Sequence, residues 1–330
     1  MIPIPKTFDP AMAEKIVRVP YQDIAMAAIA WRQRYDLPPV AAAARGTVLL
    51  LIDVQNTFCL PEFELFVGGR SGRGAIDDSI RICEFIYRHI GEIDAIVPTL
   101  DTHTALQIFH PIFWIDDQGN HPIPAATIIE LNDVKSGKWR VNPAMAASNN
   151  LSPEALQVYA LHYVERLDKL GKYPLTVWPY HAMLGGIGHA LVPSVEAAIF
   201  FHSIARQTQP QFELKGSVSL TENYSVFQPE VTTDVAGNTI ATTNNASLDR
   251  LLEYERIFIA GQAKSHCVAW TVADLLTAIQ KRDPALAKKV YLLEDCMSPV
   301  VVPNVVDYTN NTEAIFADFA RAGMNIVGVG

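Results

Sequence analysis

The sequence predicts an α/β protein, a three-layer α/β/α sandwich on a central, mostly parallel sheet. Three observations carry this. Short, continuously apolar runs recur along the chain: TVLLLID (47–53), RIFIAG (256–261), KKVYLLED (288–295) and MNIVGV (324–329). Strands covered on both faces read as such unbroken runs. Between them lie longer stretches with apolar residues at helical spacing, and that alternation marks a doubly wound parallel sheet. Finally, four strand ends carry reactive groups: Asp53, Asp101, Lys215 and Cys267. In sheets of this kind chemistry gathers at the carboxyl ends of the strands.

Residues 1–45 read as an N-terminal helical leader. Its helix lies in YQDIAMAAIAWRQRYDL, ended by Pro38–Pro39. The apolar face of Ile24, Ala28, Trp31 and Tyr35 should pack on the body or on another subunit. Residues 46–330 form the main domain. TVLLLID is its central strand, followed by a helix at 75–90 and a second strand, DAIVPTLD (94–101), again ending in an acid. Residues 116–175 form an insertion, polar and irregular at first, then helical from about Pro153 to Leu170. LTVWP (175–179) reads as a third strand and 193–207 as a helix. QFELKG (211–216) is a short strand ending in lysine. Residues 231–246 form a second excursion, a small hairpin turning at Gly237–Asn238. RIFIAG, a helix in VAWTVADLLTAIQ (268–280) and two last strands complete the chain.

The chain has 330 residues, 49% of them hydrophobic, enough for a sizeable core. A net charge of −9 argues against a nucleic-acid partner, which would need a basic face. No apolar run reaches the length of a membrane span, and the start carries no secretory pattern. Cys59, Cys83, Cys267 and Cys296 are widely spaced, without a CxxC pair, and read as reduced thiols of a cytoplasmic protein. The leader and insertions lead us to expect a homo-oligomer.

Cys267 follows IFIAGQAKSH and precedes an amphipathic helix. It therefore sits where a strand ends and a helix begins, and the free N–H groups of a helix N-terminus favour a thiolate. A buried structural cysteine is the commoner fate of that residue type, so position alone leaves both roles open.

Five segments in order decide between them: LLIDVQNTFC, LDTHTALQIFHP, VWPYH, FELKGSVSLTENYSVF and GQAKSHCV. Together they resemble the motifs of the isochorismatase-like cysteine hydrolases, especially the nicotinamidase branch. The resemblance implies the isochorismatase-like hydrolase fold and a catalytic set of Asp53 as general base, Lys215 as charge partner and Cys267 as nucleophile. It implies an oxyanion hole from the backbone N–H groups of Ala263 and Cys267, with a cis peptide at Gln262–Ala263. It also implies one divalent metal, zinc first, with iron or manganese as alternatives. Asp101, His103 and His181 are the ligands, with His110 as a fourth candidate. Asp-x-His at a strand end places both side chains on one face of the extended chain. Phe58, Trp178, Tyr224 and Gln262 would line the substrate pocket. The implied substrate is a small amide, nicotinamide first; another aryl, heteroaryl or ureido amide is the alternative. A vinyl-ether hydrolase of the isochorismatase type fits less well, because that branch lacks the cysteine and the metal motif. Thr57, Ala182 and Gly185–Gly186 depart from common nicotinamidase residues. These positions touch the pocket wall, so they bear on the substrate rather than on the catalytic set.

Overall fold

The continuous apolar runs become the strands of one sheet. The structure, a computed structural model, describes residues 2–303 and 305–329. Its six sheet strands are β1 (Thr47–Ile52), β2 (Ala95–Asp101), β3 (Glu213–Lys215), β4 (Arg256–Gly261), β5 (Val290–Leu293) and β6 (Asn325–Val327). Their spatial order is β6-β5-β4-β1-β2-β3, and every pairing is parallel. The chain winds outward from β1 to β2 and β3, then returns to the other side of β1 with β4. That reversal is a topological switch point, where a crevice opens at the carboxyl ends of the strands.

The alternation of side chains along β1 divides the core. Leu49 and Leu51 face a cluster with helix α2 (Gly74–Arg88) and a helix at Pro193–Arg206. Val48, Leu50 and Ile52 face the opposite cluster, with helices at Asn245–Leu252, Ala269–Arg282 and Thr309–Arg321. The sheet is thus covered on both faces, as its apolar strands require. In the leader, helix α1 (Tyr21–Arg34) packs on the Pro193–Arg206 helix, with Ile24 and Ala28 buried and Trp31 and Tyr35 partly so. Of the two partners the sequence leaves open for that face, the body takes it.

The insertion has a core of its own. Helix α3 (Pro153–Lys169) starts at Ser152, whose side chain accepts a hydrogen bond from the Ala155 N–H at 3.2 Å. Leu156, Tyr159, Ala160, Tyr163, Val164 and Leu167 recur at three- and four-residue spacing and are buried. They pack with Phe109, Phe113 and Trp114 in a third apolar cluster beside the mouth of the crevice.

Two expectations require correction. The run at 175–179 is not a strand of the central sheet. Leu175–Thr176 pairs antiparallel with Ile128–Ile129, and Leu175 and Val177 belong to the insertion's cluster. Its apolar residues serve that local core, and the pairing is only two residues long. The 231–246 excursion is a single bridge, Thr233 to Thr239, rather than a ladder. A helix begins at Asn245, capped by the Asn244 side chain, and takes the residues a longer second strand would need.

One backbone position fixes how β4 leaves the sheet. Gly261 has φ +121°, and a Cβ there would sit 2.0 Å from the Ile52 carbonyl oxygen. Only glycine fits so close an approach. Gly261→Ala should therefore lower unfolding stability by at least about 2 kcal/mol in a denaturant titration. An unchanged midpoint would contradict this packing of β4 against β1.

Candidate active site

The four strand ends converge as the switch point requires. Asp53 follows β1, Asp101 ends β2, Lys215 ends β3, and Cys267 lies in a tight helical turn, Lys264–Val268, after β4. All four are buried. The Lys215 ammonium is their hub. Its Nζ lies 3.0 Å from Asp53 Oδ2, 2.9 Å from Asp101 Oδ1 and 3.6 Å from Cys267 Sγ, and it donates to the Asn223 carbonyl at 2.8 Å. Cys267 Sγ and the Asp53 carboxyl thus share the Lys215 ammonium as a common neighbour. Thr99 fixes that carboxyl from behind: its hydroxyl donates to Asp53 Oδ1 at 2.5 Å and accepts from the Asp53 N–H at 3.0 Å.

Burial and pairing set the charges. Burial would lower the Lys215 pKa, but Asp101 and Asp53 outweigh it and hold the ammonium well above its usual range. Burial opposes ionisation of Asp101, yet His103 and Lys215 keep it well below the usual carboxylate range. Burial raises Asp53 against the opposing pull of Lys215. It also pushes the Cys267 thiol well up, against the same ammonium. At Cys267, burial favours the thiol and opposes the preference of a helix N-terminus for a thiolate. Asp53 is the carboxylate that shares the Lys215 ammonium with this sulfur.

Beside this set, Asp101, His103 and His181 bring one ligand atom each within 4.8 Å of one another. Asp101 Oδ2 is 2.8 Å from His103 Nε2 and 3.5 Å from His181 Nε2. Each imidazole is oriented through its other nitrogen. His103 Nδ1 meets the Gly216 carbonyl at 3.1 Å, and His181 Nδ1 the Pro179 carbonyl at 2.8 Å. Carbonyls that hold the second nitrogen are the supporting shell of metal-ligating histidines. Gln55 fixes Asp101 by its backbone, accepting from its N–H at 2.8 Å and donating to its carbonyl at 2.9 Å. One carboxylate and two imidazoles, with open positions beyond them, fit a divalent transition metal. Gly216 (φ +84°) allows the chain to pass there, since a Cβ would lie 2.7 Å from both Asp101 Oδ1 and the His103 ring.

Two site expectations do not match this geometry. His110 stands outside the ligand group: its ring centre is 6.1 Å from that of His103 and 6.2 Å from that of His181, and its Nδ1 meets the Ala105 carbonyl. Burial lowers it to about 3, and its Nε2 is buried without a hydrogen-bond partner among the described residues. Gln262 does not line the pocket. Its side chain donates to Asp78 Oδ2 at 2.8 Å and accepts from the Ser298 N–H, which anchors the loop carrying the cis peptide Gln262–Ala263.

A cavity of about 400 Å³ opens onto Cys267, Asp101 and His181. Phe58, Trp178, Tyr224 and Ala263 line it, as the sequence leads one to expect. Trp178 Nε1 donates to the Tyr224 hydroxyl at 3.1 Å, so these two rings are held as a unit. The Ala263 N–H makes no hydrogen bond among the described residues, which leaves it free for an oxyanion. A larger open groove of about 1020 Å³ runs along α1 and contains none of the candidate catalytic or metal-ligating residues.

Two lining residues escape the sequence reading. Glu222 is buried against the cluster, and burial raises it to about 7 while His103 pulls it down. Its signal was its place in TENYSVF, two residues before Tyr224, where it reads as an ordinary polar residue. His266 precedes the nucleophile, and burial lowers it to about 4, so it is a neutral imidazole.

No family model matches the chain, and no curated protein matches it. Solved structures do. A nicotinamidase/pyrazinamidase from Acinetobacter baumanii superposes with TM-score 0.50 at 18% identity, covering 87% of this chain and 98% of its own. The yeast nicotinamidase Pnc1p bound to nicotinaldehyde superposes with TM-score 0.52 at 16% identity, covering 86% and 99%. At such identities the likeness is one of fold: this chain shares the fold of those two nicotinamidases.

The cluster makes a direct prediction. His103→Ala should reduce bound divalent metal, measured by elemental analysis of the purified protein, from near one per chain to a small fraction. An unchanged metal content would remove His103 from the ligand set.

Proposed function

We propose that the protein is a metal-dependent cysteine amidohydrolase that cleaves a small carboxamide, with nicotinamide to nicotinate and ammonia as the first-choice reaction. The observation that carries this is the contact of one buried ammonium with a cysteine and two carboxylates, one of them shared with the His103–His181 cluster. An activated nucleophile needs an adjacent base and a group that stabilises its anion, and both are present here.

In this reading Asp53 accepts the thiol proton as Cys267 Sγ attacks the carboxamide carbon. The Lys215 charge stabilises the sulfur anion as it forms. The N–H groups of Ala263 and Cys267 hold the carbonyl oxygen as it becomes an oxyanion. Asp53 returns its proton to the departing nitrogen, ammonia leaves, and the acyl group remains on sulfur as a thioester. Asp53 then takes a proton from water, which attacks the thioester carbon. The acid is released and the thiol is restored. The balance is one amide and one water to one acid and one ammonia. A divalent cation held by Asp101, His103 and His181 would supply a Lewis-acid contact for a heteroatom of the substrate. Glu222, on the same wall, is placed to join that contact in its ionised form. Phe58, Trp178 and Tyr224 offer aromatic faces to a flat acyl group. Another aryl, heteroaryl or ureido amide would use the same groups.

Cys267→Ala should abolish ammonia release in a coupled assay, by at least roughly 1,000-fold in kcat, while circular dichroism shows an intact fold. Retained turnover would refute the nucleophile assignment. In the wild-type protein, intact mass spectrometry after rapid acid quench should show one acyl group on Cys267. Turnover without an adduct under any quench time would argue for direct attack of water.

A further inference from the structure

The cavity is larger and more apolar than a one-ring amide requires. Its volume of about 400 Å³ lies in the class that drug-sized ligands fill, ~300–1,000 Å³. Beyond the catalytic floor, its walls come from parts of the chain remote from the catalytic set. One wall is Ala125, Ala126 and Ile128, from the insertion; the other is Val300, Val301, Val302, Val305 and Val306, which follow β5. Ile128, Val302 and Val305 are exposed apolar side chains at its rim, 48%, 36% and 66% accessible. Exposed branched aliphatic residues gathered around one opening are more than scattered surface apolar groups.

The charge on the lining has one sign. Glu64 stands at the rim, and Asp101 and Glu222 stand at the floor. Among the described residues, no lysine or arginine lines the cavity. An anionic substituent entering it would find no counter-charge and would lose its hydration. One side group beside the nucleophile is polar and uncharged. His266 packs among Tyr173, Tyr224 and Tyr308, with ring centres 5.1, 5.5 and 4.9 Å away. Its Nδ1 meets the Ser265 hydroxyl at 2.8 Å, and that hydroxyl already accepts from the Val300 N–H. Either partner can donate in that contact, because the hydroxyl keeps a second lone pair. Among the described residues His266 Nε2 has no hydrogen-bond partner, so it is free to pair with a neutral polar group in the cavity.

We propose that the substrate is an uncharged primary amide with an apolar extension beyond its first ring, an alkyl or second aryl group seated between Ile128 and the side chains of Val300, Val302 and Val305. This rests on the amidohydrolase reading and narrows it. Phe58, Trp178 and the Asp101–His103–His181 cluster hold the carboxamide end. The valine-lined channel selects the tail, and His266 Nε2 pairs with a neutral polar group on the acyl portion.

The test is a series of primary carboxamides: nicotinamide, its 5-alkyl and 5-aryl derivatives of increasing length, and one derivative with a carboxylate at the tail end. Ammonia release should give kcat/KM rising by roughly 4-fold per buried methylene until the channel is full. The carboxylate-tailed amide should fall at least ~10-fold below its neutral isostere. Ile128→Asp should lower the ratio of extended to unextended kcat/KM. Calorimetric titration of the Cys267→Ala protein with the same amides should show the same order of Kd, independent of turnover. Hydrolysis of nicotinamide with flat or falling kcat/KM along the neutral series would overturn this proposal and leave the amidohydrolase reading standing. So would equal turnover of the carboxylate-tailed amide. No ammonia from any amide would overturn both.

Discussion

Everything at the carboxyl edge of this sheet depends on the buried ammonium of Lys215. Among the described residues it is the one cation in contact with Cys267, Asp53 and Asp101 together. Removing it would leave two carboxylates in a medium that solvates neither, and breaking such a buried pair costs about 3–5 kcal/mol. The same charge that stabilises the folded site also opposes burial in setting the thiol and the base. Stability and chemistry are thus coupled through one side chain. Two carboxylates against one ammonium leave an excess negative charge. A divalent cation held by Asp101, His103 and His181 would offset it.

Fold topology explains why these groups meet. Asp53, Asp101 and Lys215 are far apart in sequence but end adjacent parallel strands, β1, β2 and β3. Cys267 arrives from the other side of β1, where the winding reverses. Gly261 and Gly216 permit the two tight passages, one beside β1 and one beside the ligand cluster. The sheet thus sets the distances, and the glycines let the backbone approach closely enough to use them.

Much of this was legible in the sequence because it is governed by local pattern. All six sheet strands were placed from the sequence, four of them as unbroken apolar runs, together with the acids and the lysine at strand ends. Asp-x-His spacing foretold that Asp101 and His103 share a face, and they meet at 2.8 Å. What the sequence could not convey depends on contacts across the chain. His110 has the right residue type, but Gln107 and Ala105 fold it back onto its own loop. Gln262 looks like a pocket residue beside the nucleophile, yet Asp78, 184 positions away, claims its amide. LTVWP has strand composition, but the insertion's core competes for it and wins. The cysteine's protonation also lay beyond local pattern. Its helix-terminus address favours a thiolate, whereas burial, visible only in three dimensions, favours the thiol.

The most direct test of the Lys215 account is a double-mutant cycle on Lys215 and Asp53, read by urea unfolding. Lys215→Met alone should be strongly destabilising, because it strands Asp53 and Asp101 as unpaired buried charges. Adding Asp53→Asn should restore at least about 1 kcal/mol of that loss, the signature of coupled neighbours. Effects of the two substitutions that simply add, within about 0.5 kcal/mol, would contradict a shared charge at the centre of this site.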